Sequence, residues 1–264
     1  MRTNTFTGAA IAALLLTGCS PSDAGTAHDS STSPTTENGS VSSASPDQVR
    51  IGRSDFTLEL PTCPNPYGGT CLGPLEAGQY QTSTFQPRVT YTVPAGWTNF
   101  EDLPGNFWLF LQQDSQDGVL GGSYLGIYQN VHAAAINCAE DWQDGVGTTP
   151  SELVSWYESV PGLIVSEPKT VTVGGLDGLQ IDLALEPGVD TCRYGPYKGI
   201  PLIIGDGVSS LHHVILKQLN LRLVILAWHK GNVTLEITNV TKQHSADEFR
   251  TALQPIIDSL EFKG

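Results

Sequence analysis

The chain has 264 residues, 39% of them hydrophobic and 15% charged, with 28 Gly and 17 Pro, enough to bury one substantial core or two modest ones. That composition excludes wholesale disorder, collagen and polytopic membrane folds. Against 13 Lys plus Arg stand 27 Asp plus Glu, and the formal charge of −14 repels phosphate backbones and anionic lipid headgroups unless a local basic patch reverses it; the sequence shows no such patch, so no nucleic-acid partner is expected.

Residues 1–18 read as a signal peptide. Arg2 is a small positive n-region, and the apolar run Gly8–Leu16 falls far short of the roughly 20 residues that span a bilayer. Leu16-Thr17-Gly18-Cys19 matches the lipobox of bacterial lipoproteins. The match implies cleavage before Cys19, acyl chains such as palmitate on the new terminus, and a stable anchor on the extracytoplasmic face of the cell membrane. Residues 19–48 are rich in Ser, Thr, Gly, Ala and Asp; without aromatic anchors they form a flexible tether. A single domain is expected over 49–264, with a disulfide-bearing segment at 49–78 and a core at 79–264. Asn38-Gly-Ser40, Asn232-Val-Thr234 and Asn239-Val-Thr241 fit the N-glycosylation pattern, by chance in a bacterial lipoprotein.

With Cys19 reserved for lipid, Cys63, Cys71, Cys138 and Cys192 remain, an even number that favours disulfides in an exported chain. Three connectivities are open, and closure across the Pro/Gly-rich turn 64–70 favours Cys63–Cys71 with Cys138–Cys192 as a long-range staple. No C-x-x-C occurs and no His stands at ligand spacing from these residues, so neither a zinc site nor a redox pair is expected.

Val89–Val93, Phe107–Leu111, Tyr124–Val131 and the alternating Leu179–Leu185 run read as strands. Thr149, Pro150 and Glu152 open a helix with Leu153, Trp156, Tyr157 and Val160 on one face, closed by Pro161-Gly162. Leu211–Leu216 and the almost wholly apolar Leu221–Trp228 follow. Lys230-Gly231 turns the chain into Val233–Val240, giving an antiparallel hairpin at the centre of the sheet. Ser245 and Glu248 cap a last helix whose Phe249, Ala252, Leu253, Ile256, Ile257 and Leu260 form an apolar stripe, and Pro255 is expected to kink it. Strands dominate, so the fold class is α+β with a mainly antiparallel sheet.

The strand ending in Pro94-Ala95-Gly96-Trp97, the Gly174-Gly175-Leu176-Asp177-Gly178-Leu179 turn, and the closing helix running into Ser259-Leu260-Glu261-Phe262 resemble the PsbP-like fold group. More closely, the stretch from Gly78 to Phe262 is similar to uncharacterised actinobacterial lipoproteins. The resemblance implies an antiparallel sheet of about six or seven strands with helices packed on its faces, used in the wider group for docking and binding.

Chemistry is harder to find. His212-His213 begins an apolar strand, where neighbours point to opposite faces, and His132 and His229 end other strands. Together they allow a three-His cluster at one sheet end, although the spacing does not demand it. Ser209-Ser210 lacks a nucleophile elbow. Between Arg88 and Lys169 lie only acidic charges: Glu101, Asp102, Asp114, Asp117, Glu140, Asp141, Asp144, Glu152, Glu158 and Glu167. They read first as a solvated acidic surface. If Cys138 joins Cys192, then Glu140, Asp141 and Asp144 approach Asp190, a weak oxygen-ligand set for Ca²⁺, while Asp114-x-x-Asp117-Gly118 lacks the alternation of a calcium loop. Tyr124, Tyr128, Trp97, Trp108 and Trp142 read as packing residues that can alternatively stack on sugars. Gly121-Gly122 and Gly174-Gly175 are turns without a following helix, so no nucleotide cradle is supported.

The expectation is therefore a lipid-anchored cell-envelope protein acting as a non-catalytic binding or docking module, without cofactor. Its partners are the membrane through the lipid, and an envelope protein or glycan. The rival readings are a small-ligand or lipid carrier, which needs a cavity under the helices, and an envelope hydrolase using His with Asp or Glu.

Overall fold

The fold was obtained as a computed structural model, which describes residues 48–50, 57–59, 73–111, 123–138, 141–194, 197–205, 208–217, 219–239 and 244–264. The signal peptide, Cys19, the tether as far as residue 47, Asn38, Cys63, Cys71, Asp114, Asp117 and Glu140 lie outside these residues.

The order of elements is set by runs of β-branched and aromatic residues broken by Gly, Pro and Asn. The first are β1 (Gln48–Arg50), β2 (Thr57–Glu59), β3 (Gly73–Leu75), β4 (Gly78–Gln81), β5 (Arg88–Val93), β6 (Trp97–Asp102), β7 (Asn106–Leu111), β8 (Tyr124–Gln129) and β9 (Val131–Ala133). After α1 (Pro150–Ser159) come β10 (Leu163–Val165), β11 (Lys169–Val173), β12 (Leu176–Leu185), β13 (Cys192–Tyr194), β14 (Tyr197–Gly205), β15 (Val208–Leu216), β16 (Asn220–Trp228) and β17 (Gly231–Asn239). The chain closes with α2 (Ala246–Asp258) and β18 (Glu261–Lys263). All of these elements fall in one compact unit, Ala44–Gly264.

Among the described residues four antiparallel sheets result. The largest has nine strands in the order β10-β12-β16-β17-β8-β7-β6-β3, with β11 also paired to β12. A four-stranded sheet joins β13, β14 and β15 with β9 on β14; a three-stranded sheet runs β18-β5-β4; and β1 pairs β2. In the nine-stranded sheet successive residues point to opposite faces. Leu221, Leu223 and Ile225 of β16, with Trp108, Phe110 and Tyr128, pack against β14, β15 and α1. Val224 and Leu226 of β16, with Leu109, Ile127 and Leu235, pack against β5 and α2.

The expected α+β class, one sheet of about six or seven strands with helices packed on its faces, is overturned. The protein is a β-rich fold of several sheets with two helices among the described residues. The physical reason lies in what covers the large sheet: each face buries its apolar residues against a further sheet as well as a single helix. Within those outer sheets β5 and β15 are read from the sequence, but β4, β9, β13, β14 and β18 escape a periodicity reading because they are short or interrupted. β14, for example, carries Pro201 and a register shift on either side of Ile203.

Several expected elements stand. The β16–β17 hairpin lies between β12 and β8 at the sheet centre. Both helices carry the full reciprocal cap, Thr149 with Glu152 and Ser245 with Glu248. The Tyr124–Val131 run, by contrast, is broken at Asn130, where φ is 51°. The chain there leaves the nine-stranded sheet and enters the four-stranded one. The α2 helix continues through Pro255 to Asp258.

Candidate binding cleft

The break at Asn130 and the tip of the β16–β17 hairpin meet at one end of the large sheet. Trp228 pairs with Gly231 across the two-residue turn His229-Lys230. His229 has a φ of 50°, left-handed backbone at the position where Gly is the low-strain choice in such turns. Gly231 packs closely against the break: a Cβ there would lie 2.5 Å from Asn130 Oδ1, so a larger residue must displace that side chain.

Asn232 fixes this corner. Its side chain is fully buried; Oδ1 accepts the Val131 N–H at 3.1 Å and the Thr234 hydroxyl at 2.9 Å. Its Nδ2 donates to Val131 O at 2.9 Å and to Thr148 O at 2.8 Å. One amide thus ties the start of β9 and the segment before α1 to β17. It is also the first residue of a glycosylation sequon, and in the folded chain it offers no surface to a glycan.

The corner encloses a cleft of about 510 Å³ lined by Gln129, Asn130, His132, Thr148, Trp228, His229, Lys230 and Gly231. Trp142 flanks it, pinned by a β-bridge to Ala134; its ring lies 4.4 Å from that of His132 and it is 48% exposed. Trp228 meets the His229 ring at 4.5 Å, edge to face. Aromatic faces, two amides, two imidazoles and one ammonium therefore converge, with no Asp or Glu in the lining. Such a surface can stack on an apolar ring face and exchange hydrogen bonds with hydroxyl or acetamido groups. Glycosidic bond cleavage ordinarily needs a pair of carboxyl groups, which this lining lacks.

The structure separates the remaining candidates. His132 and His229 share the cleft, but His213 sits in the core between the nine- and four-stranded sheets, so these three form no cluster; the His212 side chain lies outside the described residues. His213 Nδ1 lies 2.8 Å from Glu236 Oε2. Tyr124 and Tyr128 each donate to Glu236 at 2.9 Å. The ladder explains the arrangement: Glu236 pairs with Gly126, so both tyrosines stand diagonally from it on the same face. A Cβ on Gly126 would run into the Tyr128 hydroxyl group. Burial works to raise the Glu236 carboxyl, but the His213 charge and the hydrogen bonds from His213, Tyr128 and Tyr124 outweigh it and hold the group low. Burial, then the Glu236 charge, pushes both phenols well above their ordinary range, so they remain donors. With His213 8% and Glu236 1% exposed, this pair is out of reach of a substrate, which a general base must touch.

The acidic run is not one surface. Asp102 is buried and accepts the backbone N–H groups of Ser83, Thr84 and Phe85 at 2.7, 3.1 and 2.8 Å. Glu101 is buried beside Asn106, and Glu152 caps α1. Cys138 and Cys192 are joined as a disulfide with Cα atoms 5.4 Å apart. Asp141, Asp144 and Asp190 are exposed, and among the described residues no group of three His, Cys, Asp or Glu is placed to hold a metal ion. Trp97 and Trp108 are core residues within strands.

Sequence reasoning missed Glu236 and most of the cleft. A hairpin expected at the sheet centre buries both faces of β17, so a charged residue at 236 demanded a buried partner; that signal was present. For the cleft no local signal was present, because Gln129, Asn130 and Val131 continue a β-like run.

No family model matches the chain, and no curated protein matches it. Among solved structures, a protein from Bacteroides thetaiotaomicron VPI-5482, determined at 1.50 Å resolution, is similar over 67% of this chain with 15% identity and a TM-score of 0.31. The aligned part of this chain spans 45% of that protein's length.

Proposed function

We propose that the protein is a non-catalytic binding module of the cell envelope. In this reading Cys19 carries the lipid that fixes it to the extracytoplasmic face of the membrane, and its partner is a neutral or weakly acidic envelope glycan. The aromatic and amide cleft carries the reading: Trp142 and Trp228 offer ring faces, while Gln129, Asn130 and the two imidazoles offer directional hydrogen bonds. Lys230 is the charged residue in the lining, so the cleft repels a polymer carrying carboxylates or phosphates less than the surrounding acidic chain does. Export is supported by the Cys138–Cys192 disulfide, a bond that persists in oxidising compartments.

The test is affinity electrophoresis through gels containing purified wall polysaccharide, comparing the protein with its Trp142→Ala variant. Retardation of the parent, weakened about tenfold or more in the variant, is the expected result, since an exposed anchoring aromatic contributes on the order of 1–2 kcal/mol. Equal mobility of the two proteins in every polymer overturns the glycan reading. Lipidation is tested apart: Cys19→Ser chain must lose the acyl mass and leave the membrane fraction.

A further inference from the structure

A second groove, separate from the aromatic cleft and independent of its reading, runs between α2 and the face of β11, β12, β16 and β17. It encloses about 360 Å³, within the usual range of small-ligand sites. Arg250, Leu253, Gln254, Ile257 and Asp258 of α2 all line it, the i, i+3, i+4, i+7 spacing of one helix face. The span from Arg250 to Asp258 makes the groove about 12 Å long. Val224 and Ile237 form an apolar floor, and Val171, Val173 and Ile257 the half-buried walls.

One end is cationic. Arg222 is locked there, its Nε and Nη2 donating to Asp182 at 2.7 and 2.8 Å. Arg250 is less committed: its Nη1 donates at 3.3 Å to Asp247, whose side chain is 92% exposed, and its Nη2 stands 3.7 Å from Asp182, beyond bonding distance. The charge of Lys169 also reaches Asp182. Arg222 and Arg250 thus meet at this mouth, beside Asp182 and the largely solvated Asp247, which border the space beyond it, while Asp258 lines the far end of the α2 face. Arg250 also borders an adjoining hollow of about 440 Å³, giving a head group room beyond the groove.

We propose that the groove beneath α2 binds a single-chain amphiphile with an anionic head, its chain lying on Val173, Val224, Ile237 and Ile257 and its head taken by Arg250 beside Arg222. A guanidinium presents a planar fork that suits carboxylate or phosphate oxygens, and the apolar strip removes the chain from water. A free fatty acid and a lysophospholipid share this chemistry.

The test uses the full chain and decanoate, decyl phosphate, a lysophosphatidylglycerol and uncharged decanol, each below its micellar concentration, competing against 11-(dansylamino)undecanoate fluorescence. Saturable binding of the dansyl probe is expected, with at least one anionic competitor displacing it at a concentration ten times or more below decanol. The stronger of decanoate and the lysolipid identifies the source. Arg250→Gln should weaken the anionic competitor at least tenfold and leave decanol unchanged. Val173→Trp, which fills the strip from an edge strand that accepts aromatics, should abolish probe binding at an unchanged melting temperature. Absence of saturable binding overturns the proposal. So does displacement by decanol as effective as by both anions, a comparison that needs no variant.

Discussion

Glu236 is the residue on which most of the buried polar chemistry turns. Its folded-state ionisation is held below the ordinary carboxylate range by His213 and the two tyrosines, against the effect of burial. A depressed acid contributes stability that is complete above its unfolded value, about 4.3, and is lost as pH falls through the folded value. Glu236→Gln should therefore cost about 3 kcal/mol at pH 7, because Tyr124, Tyr128 and His213 lose the buried carboxylate they bond. In urea unfolding the gap between parent and variant should begin to narrow below about pH 4.3, the unfolded value, and go on narrowing as pH falls toward the lower folded value. A gap that stays constant from pH 7 to 3 contradicts this account. Glu101 is shifted the other way, raised by burial, so Glu101→Gln should cost less than Glu236→Gln at neutral pH. Asn232 offers a second test at this scale. Its replacement by Ala strands the Val131 N–H and two backbone carbonyls, a cost of about 2–4 kcal/mol read from the urea midpoint.

Among the elements, helix ends and central strands were legible because their signals are local. Thr149 and Ser245 each face a Glu three residues on, and both reciprocal caps form. Thr149→Ala and Ser245→Ala should each lower stability by about 1 kcal/mol. The two caps belong to helices that pack into different apolar clusters, so the double variant should show the sum in thermal unfolding. Several edge and outer strands were not legible. β11 exposes most of its residues and β18 is three residues long, so neither shows the contrast between dry and wet faces that a periodicity reading needs. The break at Asn130 was hidden for another reason. Gln129, Asn130 and Val131 continue a β-like run in sequence, and only the tertiary bonds from Asn232 force the left-handed residue that divides it. With the break unread, the cleft it helps to form was unread as well.

At the scale of the whole molecule, the nine-stranded sheet is a platform with apolar residues on both faces, and covering each face with a further sheet makes the fold β-rich. The Cys138–Cys192 bond links the segment after β9 to β13 across a sequence separation of 54. In the chain-entropy account a closed loop of that size contributes about 4 kcal/mol, so reduction should lower the urea midpoint without abolishing strand content by circular dichroism. The two sites lie in different places: the aromatic cleft at the β16–β17 turn, and the amphipathic groove under α2. A glycan partner and an acyl partner can therefore be read independently, as befits a module expected to stand between membrane and wall.

The central claim is that the cleft at the β16–β17 turn takes a glycan, and the chain carries its own reporters in 5 Trp. Trp142 and Trp228 border the cleft, while Trp97, Trp108 and Trp156 are buried in the core. The most direct measurement is an NMR titration of the indole N–H signals with oligomers of N-acetylhexosamine from wall polysaccharide. The account predicts saturable shifts of the Trp142 and Trp228 signals with the three core signals unmoved. Signals that all stay still, or core indoles that move while Trp142 and Trp228 do not, would contradict it.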